Sequence, residues 1–230
     1  MLLFWDIDGT LLTTGRAGIF AWEDALHEVA GVRADLSGFD TAGHPDFLIA
    51  ARLFIDIAGA AAPDDQVERI VRRYEDLLPA ALERRQGKVL PNVREILEHL
   101  ENHPSVRSML LTGNTRRGAA AKLAYYGLDR FFDDGAFSEG PYDRDQIART
   151  ALERGRASGW EPASGAVVIG DTPHDVRSGR IAGARTLAVA TGAYGVEELR
   201  QHQPWLVLAE LPPPEEFLRL LNGAEVASDV

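Results

Sequence analysis

The sequence predicts an α/β fold, a doubly wound parallel sheet with an inserted α-helical domain. Short, wholly apolar runs recur along the chain, and an amphipathic helical pattern follows most of them. Such alternation is typical of a parallel sheet with helices on both faces. Residues 15–87 interrupt the alternation with helical patterns alone. Polar residues stand directly after several of the apolar runs, where an open sheet binds its ligands.

The apolar runs predict the strands. Each is short and has no polar face, which indicates a strand buried on both sides. The predicted strands cover residues 2–5, 106–111, 166–169, 186–190 and 206–208. The predicted core helices cover residues 93–101, 116–126, 145–156, 176–182 and 215–221. We expect the tail after Asn222 to fray.

Residues 15–87 form the predicted inserted domain. Helical patterns cover residues 19–29, 47–57 and 65–82, and we find no convincing strand pattern among them. A connection with helices of its own is too long for an ordinary loop. The sequence therefore predicts two domains, an α/β core made of residues 1–14 and 88–230 and a helical domain made of residues 15–87.

The composition indicates a globular protein that avoids polyanions. Of 230 residues, 35 are acidic and 24 basic, which gives a net charge of −11. This charge would repel nucleic acid and anionic lipid, so we expect neither as a partner. The absence of cysteine excludes thiolate nucleophiles and metal ligands. No apolar run reaches the ~20 residues of a membrane span, and the apolar start is too short for a signal peptide. We expect a cytoplasmic protein.

Two aspartates follow the first predicted strand. Asp6 and Asp8 flank Ile7, and Gly9 comes next. Alternation along an extended chain would turn both carboxylates the same way, beyond the carboxyl end of the strand. On its own, such a pair is equally well explained as a polar strand end followed by a turn.

Polar groups also follow two later strands. Thr112, Gly113 and Asn114 combine a hydroxyl with backbone N–H groups at a helix start, which suits an anion, although an ordinary N-cap has the same appearance. Asp171 and Asp175 place a second carboxylate pair at another strand end. Asp175 could instead simply cap the next helix.

Carboxylates that converge from two strand ends would repel one another without a cation. A few oxygen ligands, with room for water and phosphate, suit Mg²⁺ better than Zn²⁺. A carboxylate can attack phosphorus once the cation and nearby N–H groups neutralise the phosphoryl oxygens. The sequence therefore predicts a Mg²⁺-dependent phosphoryl-transfer site.

These motifs resemble those of the haloacid dehalogenase superfamily over nearly the whole chain. The family pattern is Asp-X-Asp-X-Thr after strand one, a Thr or Ser after strand two, a basic residue before a later helix, and Gly-Asp-X-X-X-Asp. The first, second and fourth motifs begin here at Asp6, Thr112 and Gly170. Residues 15–87 are similar to the helical cap that phosphoglycolate-phosphatase-like members insert into their Rossmann-like core.

The resemblance implies a role for each matching residue. Asp6 would be the nucleophile and a metal ligand, and Asp8 the general acid and base. Asp8 would also bind Mg²⁺ through its backbone carbonyl, Asp171 would bind the metal, and Asp175 would orient the site. The phosphate would be held by Thr112, Gly113 and Asn114. Because dehalogenating members lack the second aspartate, Asp8 favours hydrolysis of a small phosphorylated metabolite.

The basic residue is the one departure from the family pattern. Members normally supply a lysine before the helix that precedes the acidic strand. Lys122 lies about two turns into a predicted helix, some 10 Å from its phosphate end at ~1.5 Å per residue. We therefore predict that Arg144 replaces the lysine, neutralises the nucleophile and the phosphate, and is held by Asp175. An exposed arginine paired with a neighbouring aspartate remains the alternative.

Histidines and other functions leave further alternatives. We predict that His44 contacts the substrate from the cap, although its loop could simply precede a helix. His99 and His103 have a zinc-helix spacing, but a solvated helix end explains them better. A phosphomutase similar to β-phosphoglucomutase would use the same aspartates. A dehalogenase and a non-catalytic binding protein fit the motifs less well.

Overall fold

The computed structural model describes residues 1–57, 59–140, 143–160 and 165–223. The described strands are β1 Leu2–Trp5, β2 Leu12–Thr13, β3 Lys88–Val89, β4 Arg107–Leu111, β5 Gly135–Ala136, β6 Ala166–Gly170, β7 Arg185–Val189 and β8 Leu206–Leu208. The described helices are α1 Ala17–Ala30, α2 Asp46–Asp56, α3 Asp64–Glu83, α4 Val93–Glu101, α5 Arg116–Tyr125, α6 Arg144–Ala157, α7 Pro173–Ala182, α8 Val196–Gln201 and α9 Pro214–Leu221. The tail that we expect to fray lies largely outside the described residues.

A six-stranded sheet in the order β5-β4-β1-β6-β7-β8 forms the centre of the molecule. Strand β1 pairs in parallel with β4 on one side and with β6 on the other. The chain thus moves outward from β1 in both directions, which is the arrangement of a doubly wound sheet. The carboxyl ends of β1, β4 and β6 meet at the point where the strand order reverses.

Both faces of the sheet are covered, which explains the unbroken apolar runs. Along β1 the side chains alternate, so that Leu3 and Trp5 join one apolar cluster and Leu2 and Phe4 join another. Trp5 stacks on Phe217 of α9 at 5.7 Å between ring centroids. The opposite cluster receives the buried face of α6. Every residue of β1 is consequently buried.

Helices α1, α2 and α3 pack around an apolar cluster of their own. Its largest buried members include Trp22, Leu53 and Tyr74. The chain enters these helices after β2 and leaves them before β3, and the two strands pair antiparallel through Leu12 and Val89. This pairing holds the two connections side by side. We call residues 15–87 the helical insert.

The predicted parallel α/β fold is confirmed, with element ends shifted by a few residues. The prediction missed β2, β3, β5 and α8. Three of these are two-residue strands, and a pair of residues is too short to show a periodic pattern. No helix in the described parts of the chain is long and apolar enough to cross a membrane.

Candidate active site

The ends of three adjacent strands bring the predicted site residues together. Asp6 follows β1, Thr112 follows β4, and Asp171 follows β6. The Asp6 N–H donates to the carbonyl of Ile169 at 3.0 Å, so the strand pairing extends as far as the aspartate. A cavity of about 450 Å³ opens at this edge. Its lining includes Asp6, Asp8, Gly113, Asn114, Arg144 and Asp171.

Three carboxylates crowd together at the floor of the cavity. Oxygens of Asp6, Asp171 and Asp175 lie within 4.8 Å of one another, and all three residues are buried. Burial raises the pKa of Asp6 to about 7, against the opposing effect of Arg144. Burial and the charges of Asp175 and Asp6 raise the pKa of Asp171 well above its ordinary value. Burial and mutual repulsion thus both disfavour the charged forms of these carboxylates, and a bound cation would favour them.

Gly9 allows the backbone to pass close to Asp171. Its φ of 80° lies in the left-handed region, and a Cβ atom there would be 2.3 Å from the Asp171 carboxylate. Neither the conformation nor the space admits a side chain. The Thr10 hydroxyl, one residue later, donates to Asp171 at 3.2 Å. The turn after β1 thus fixes the carboxylate that follows β6.

Arg144 lies at the start of α6 and is 6% exposed. Its guanidinium is 3.5 Å from Asp6 and forms an ion pair with Asp175. Although burial opposes its charge, the carboxylates of Asp175 and Asp6 raise the pKa of Arg144. This is the geometry predicted for a replacement of the lysine. The residues just before it, 141–142, lie outside the described residues.

The neighbouring aspartates that could have paired with Arg144 have other partners. Asp143 caps α6 by accepting from the Gln146 N–H at 2.9 Å. Asp145 forms an ion pair with Arg177. The structure therefore does not support the alternative of an exposed Arg144 that pairs with Asp143 or Asp145.

Asp175 serves both its helix and the site. It forms a capping box with Thr172 at the start of α7, accepting from the Thr172 N–H at 3.0 Å and the Thr172 hydroxyl at 2.8 Å. Its other carboxylate oxygen accepts from Arg144. Both oxygens are thus engaged, which leaves Asp6 and Asp171 as the carboxylates of the cluster with free oxygens for a cation.

Asp8 points to the other side of the cavity. Its Oδ2 accepts from Lys122 Nζ at 2.6 Å and from Asn114 Nδ2 at 2.8 Å. The same Asn114 amide donates to the Thr112 hydroxyl at 2.8 Å, and the Asn114 carbonyl accepts from Lys122 at 2.5 Å. One network therefore joins the residues after β1 to those after β4.

The prediction that Lys122 lies far from the phosphate end was wrong. The expected distance of ~10 Å followed from the rise along the helix axis alone. The Cα–Cβ bonds of a helix tilt toward its N-terminus, and the four methylene groups of lysine carry the ammonium further in that direction. Lys122 is only 4% exposed, and its stem is buried beside α3 with the ammonium in the cavity. The position of Lys122 on the same helix face as Ala119 and Leu123, which is buried, was the one feature of the sequence that hinted at this.

The helical insert contacts the loop after β4 directly. The Asp46 N–H donates to the Gly113 carbonyl at 2.8 Å, and the Asp46 carboxylate accepts from the Thr115 N–H at 2.7 Å. Arg144 also donates to the Gly43 carbonyl at 3.1 Å. Burial raises the pKa of Asp46 to about 7, with Lys122 opposing the rise. Sequence reasoning did not single out Asp46.

His44 lies on the insert side of the cavity. Its ring packs against His174 with centroids 4.8 Å apart, and its Nε2 is 3.7 Å from an Asp40 oxygen. Burial lowers the pKa of both histidines. The structure thus places His44 at the site, and a contact with substrate stays a prediction.

The donor set fits Mg²⁺. The cluster offers carboxylate oxygens, which hard divalent cations prefer, and a cation there would offset the burial and mutual repulsion that raise the pKa values of Asp6 and Asp171. Asp8 contributes no side-chain oxygen to this cluster, because its carboxylate is turned toward Lys122. Its predicted metal contact runs through the backbone carbonyl and stays a prediction.

A family model described as haloacid dehalogenase-like hydrolase matches residues 3–180. The chain belongs to this family. Pyrophosphatase PpaX from Bacillus pumilus is 28% identical over 224 residues, which cover 91% of this chain and 92% of that protein. Among solved structures, a predicted phosphatase from Clostridium acetobutylicum has a TM-score of 0.73 and 18% identity, covering 96% of this chain and 98% of the other.

Another similar structure carries the name of a substrate. A predicted phosphoglycolate phosphatase from Haemophilus somnus has a TM-score of 0.70 and 18% identity, covering 97% of each chain. At such identity the likeness shows the fold. It includes the helical insert, because the match covers almost the whole of both chains.

Proposed function

We propose that this chain is a Mg²⁺-dependent phosphatase that hydrolyses a small phosphorylated metabolite through an aspartyl phosphate on Asp6. The observation that carries the proposal is the pairing of Asp6 with Arg144 beside Asp171 at adjacent strand ends. A nucleophilic carboxylate, a fixed cation and a second oxygen ligand are thereby held in one cavity. The family of hydrolases and the phosphatase names of relatives support the same reaction.

In the first step, a carboxylate oxygen of Asp6 attacks phosphorus and the bond from phosphorus to the ester oxygen breaks. Asp8 donates a proton to the departing oxygen. In the second step, Asp8 takes a proton from water, whose oxygen attacks the phosphoryl group and releases phosphate from Asp6. Lys122 and Asn114 hold one oxygen of Asp8, so the other is free for these proton transfers.

The remaining residues bind charge. Arg144 faces Asp6 and is placed to neutralise the phosphoryl oxygens. Thr112, with the backbone of Gly113 and Asn114, forms the phosphate loop at the start of α5. Asp6 and Asp171, together with the backbone carbonyl of Asp8, would hold Mg²⁺. When bound, Mg²⁺ supplies the Lewis-acid charge that reduces repulsion between the carboxylate and the phosphate.

The helical insert is proposed to act as a cap over the reaction. Its contacts with Gly113 and Arg144 reach both phosphate-binding groups. Closure of such a cap excludes bulk water and completes the binding site. The proposed boundaries are residues 15 and 87, next to the paired strands β2 and β3.

Hydrolysis of p-nitrophenyl phosphate tests the proposal. Turnover is expected with Mg²⁺, to be lost in excess chelator, and to be inhibited by Ca²⁺, because the larger ion loosens the in-line geometry. Asp6→Asn should lower kcat by on the order of 10⁴-fold. Full activity in chelator, or an Asp6→Asn variant within about tenfold of wild type, would contradict it. Release of free phosphate, rather than its transfer to a sugar phosphate, separates hydrolysis from mutase activity.

A further inference from the structure

The cavity extends beyond the carboxylates into the helical insert. This end is lined by Arg16, Gly18 and Ile19 at the start of α1 and by Tyr74 of α3. We call these four residues the α1 pocket. None of them has a part in the phosphoryl-transfer steps, so the leaving group of the substrate is the portion that would reach them.

The Tyr74 hydroxyl faces this pocket without a hydrogen-bond partner among the described residues. Tyr74 is 1% exposed, and its ring stacks on Trp22 with centroids 3.9 Å apart and planes 3° apart. A Cβ atom on Gly18 would lie 3.6 Å from the hydroxyl. Burial raises the pKa of Tyr74 well above its ordinary value, so the group stays a protonated donor. Buried tyrosine hydroxyls usually have a hydrogen-bond partner. A ligand bound in the cavity could accept this hydrogen bond from Tyr74.

The first turn of α1 supplies further donors. The Ala17 N–H is bonded to the Thr14 carbonyl at 3.2 Å, but the next two N–H groups, of Gly18 and Ile19, have no acceptor in the described parts of the chain. The helix has no side-chain cap and no acidic residue in its first turn. No described residue therefore neutralises its N-terminal partial charge.

The α1 pocket thus consists of donors. Arg16, the residue just before α1, adds a full positive charge at the exposed edge of the pocket. Its φ of 69° lies in the left-handed region. Three carboxylates, Asp46, Asp8 and Glu75, act electrostatically on Tyr74, and each has a partner of its own. Asp46 accepts from the Thr115 N–H, Asp8 accepts from Lys122, and Glu75 pairs with Arg117. A hydroxyl, two amides and a guanidinium that have no acceptor among the described residues match an anion.

We propose that the α1 pocket binds a second anionic group, a carboxylate or a phosphate, carried by the leaving group of the substrate. This inference rests on the proposed phosphatase function and narrows it to phosphate esters or anhydrides whose leaving group is acidic. The phosphoryl end would be held at Asp6 and Arg144, and the acidic end at Tyr74 and the start of α1. Apolar Ile19 and Trp22, which also line the cavity, would border the carbon skeleton between them.

Three substrates test the inference. The leaving group of phosphoglycolate carries a carboxylate, and that of pyrophosphate is itself a phosphate. 2-Hydroxyethyl phosphate matches phosphoglycolate in size, but its leaving group carries an uncharged hydroxyl in place of the carboxylate. We expect kcat/KM to be at least about tenfold higher for one of the acidic substrates than for the neutral ester, as for a site with dedicated donors. The acidic substrate that is preferred distinguishes a carboxylate from a phosphate. Equal kcat/KM for all three would overturn the inference.

Tyr74→Phe removes only the hydroxyl and keeps the stack on Trp22. It should raise KM for the preferred acidic substrate about tenfold and leave kcat/KM for the neutral ester and for p-nitrophenyl phosphate unchanged. Gly18→Ala, whose methyl group fits but occupies the space beside the hydroxyl, should act in the same direction. Tyr125→Phe, at a 46% exposed tyrosine, is the matched control.

The outcomes separate the two proposals. If p-nitrophenyl phosphate is hydrolysed but Tyr74→Phe changes all substrates equally or none of them, the α1 pocket does not bind an anion and the phosphatase proposal stands. If the wild-type protein hydrolyses no phosphate ester, the function itself is wrong and the inference falls with it.

Discussion

Arg144 has to neutralise two carboxylates at once. It touches Asp6 and Asp175, and Asp6 is the proposed nucleophile. Arg144→Ala should lower kcat/KM at least ~100-fold, because ~3 kcal/mol of charge stabilisation is lost. Arg144→Lys should recover part of the activity. A lysine retains the charge, but its single ammonium cannot reproduce the contacts of a planar guanidinium with the two carboxylates and the Gly43 carbonyl.

The control for this prediction is Arg177→Ala, which removes an exposed arginine from the ion pair with Asp145. Circular dichroism must show that each variant is folded, because loss of a buried ion-pair partner can also destabilise the native state. A folded Arg144→Ala variant with near-normal kcat/KM would show that the cation is supplied by another residue.

Lys122 donates to Asp8, the proposed general acid and base. Lys122→Met keeps the buried stem and removes the ammonium that donates to Asp8. We expect kcat to fall by roughly 10- to 100-fold for an alkyl phosphate and much less for p-nitrophenyl phosphate, because p-nitrophenolate leaves without a proton from Asp8. Equal losses with both esters would indicate a structural role. Lys88→Met, in exposed β3, is the control.

Asp46 should make stability depend on pH. Its pKa rises from 3.8 to about 7 on folding, because the carboxylate is buried. The native state then binds the proton more tightly than the unfolded state, so this contribution to stability is complete below about pH 4 and is lost as the pH rises toward 7. Asp46→Asn retains an oxygen for the Thr115 N–H but does not titrate.

The measurement is the free energy of unfolding of both proteins across this pH range. The value for wild type minus the value for Asp46→Asn should decrease from about pH 4 to about pH 7, by at most about 1.4 kcal/mol per pH unit. A difference that stays constant over the range would show that Asp46 ionises normally in the native protein.

At the level of single residues, the sequence was most informative where side chains follow strands. Asp6, Thr112 and Asp171 were predictable because the ends of parallel strands converge on one edge. Lys122 and Asp46 were not, because one depends on the direction of a long side chain and the other on how the insert folds back. Tyr74 was unremarkable in sequence, since an aromatic residue on an amphipathic helix normally belongs to the core.

At the level of elements, the insert and the core are linked by short connections, by polar contacts, and by packing of α3 against α5. Strands that are buried on both faces appear in the sequence as unbroken apolar runs, and amphipathic helices such as α3 appear as apolar residues spaced three or four apart. The pairing of β2 with β3 does not, because Leu12 and Thr13 have no sequence feature that identifies Val89 and Lys88 as partners. The position of the insert over the cavity follows from that pairing.

Removal of the insert should separate catalysis from specificity. When a short flexible linker replaces residues 15–87, the strands β2 and β3 can still pair, and we expect a folded core that hydrolyses p-nitrophenyl phosphate slowly. Its kcat/KM values for different phosphate esters should become similar, because the insert supplies the contacts with the leaving group. A folded core with unchanged substrate preference would show that specificity lies elsewhere.

For the molecule as a whole, the sheet and the insert together enclose the cavity that holds the proposed phosphoryl-transfer site. The oxygens of Asp6 and Asp171 lie at the floor of a cavity whose other walls come from the phosphate loop and the insert. Asp8 is held on the opposite side from Arg144, so the proton donor and the fixed cation act on different parts of the substrate. The proposed reaction therefore requires Asp6 to become phosphorylated.

Direct detection of that intermediate is the most decisive measurement. In Asp8→Asn the base for the second step is absent, so the aspartyl phosphate should accumulate during incubation with Mg²⁺ and a reactive phosphate ester. Acid quenching and peptide mass spectrometry should then find one phosphoryl group on Asp6, removable with hydroxylamine and absent from the variant that also carries Asp6→Asn. A phosphoryl group on another residue, or turnover by wild type with no modification of Asp6 in either protein, would contradict the account.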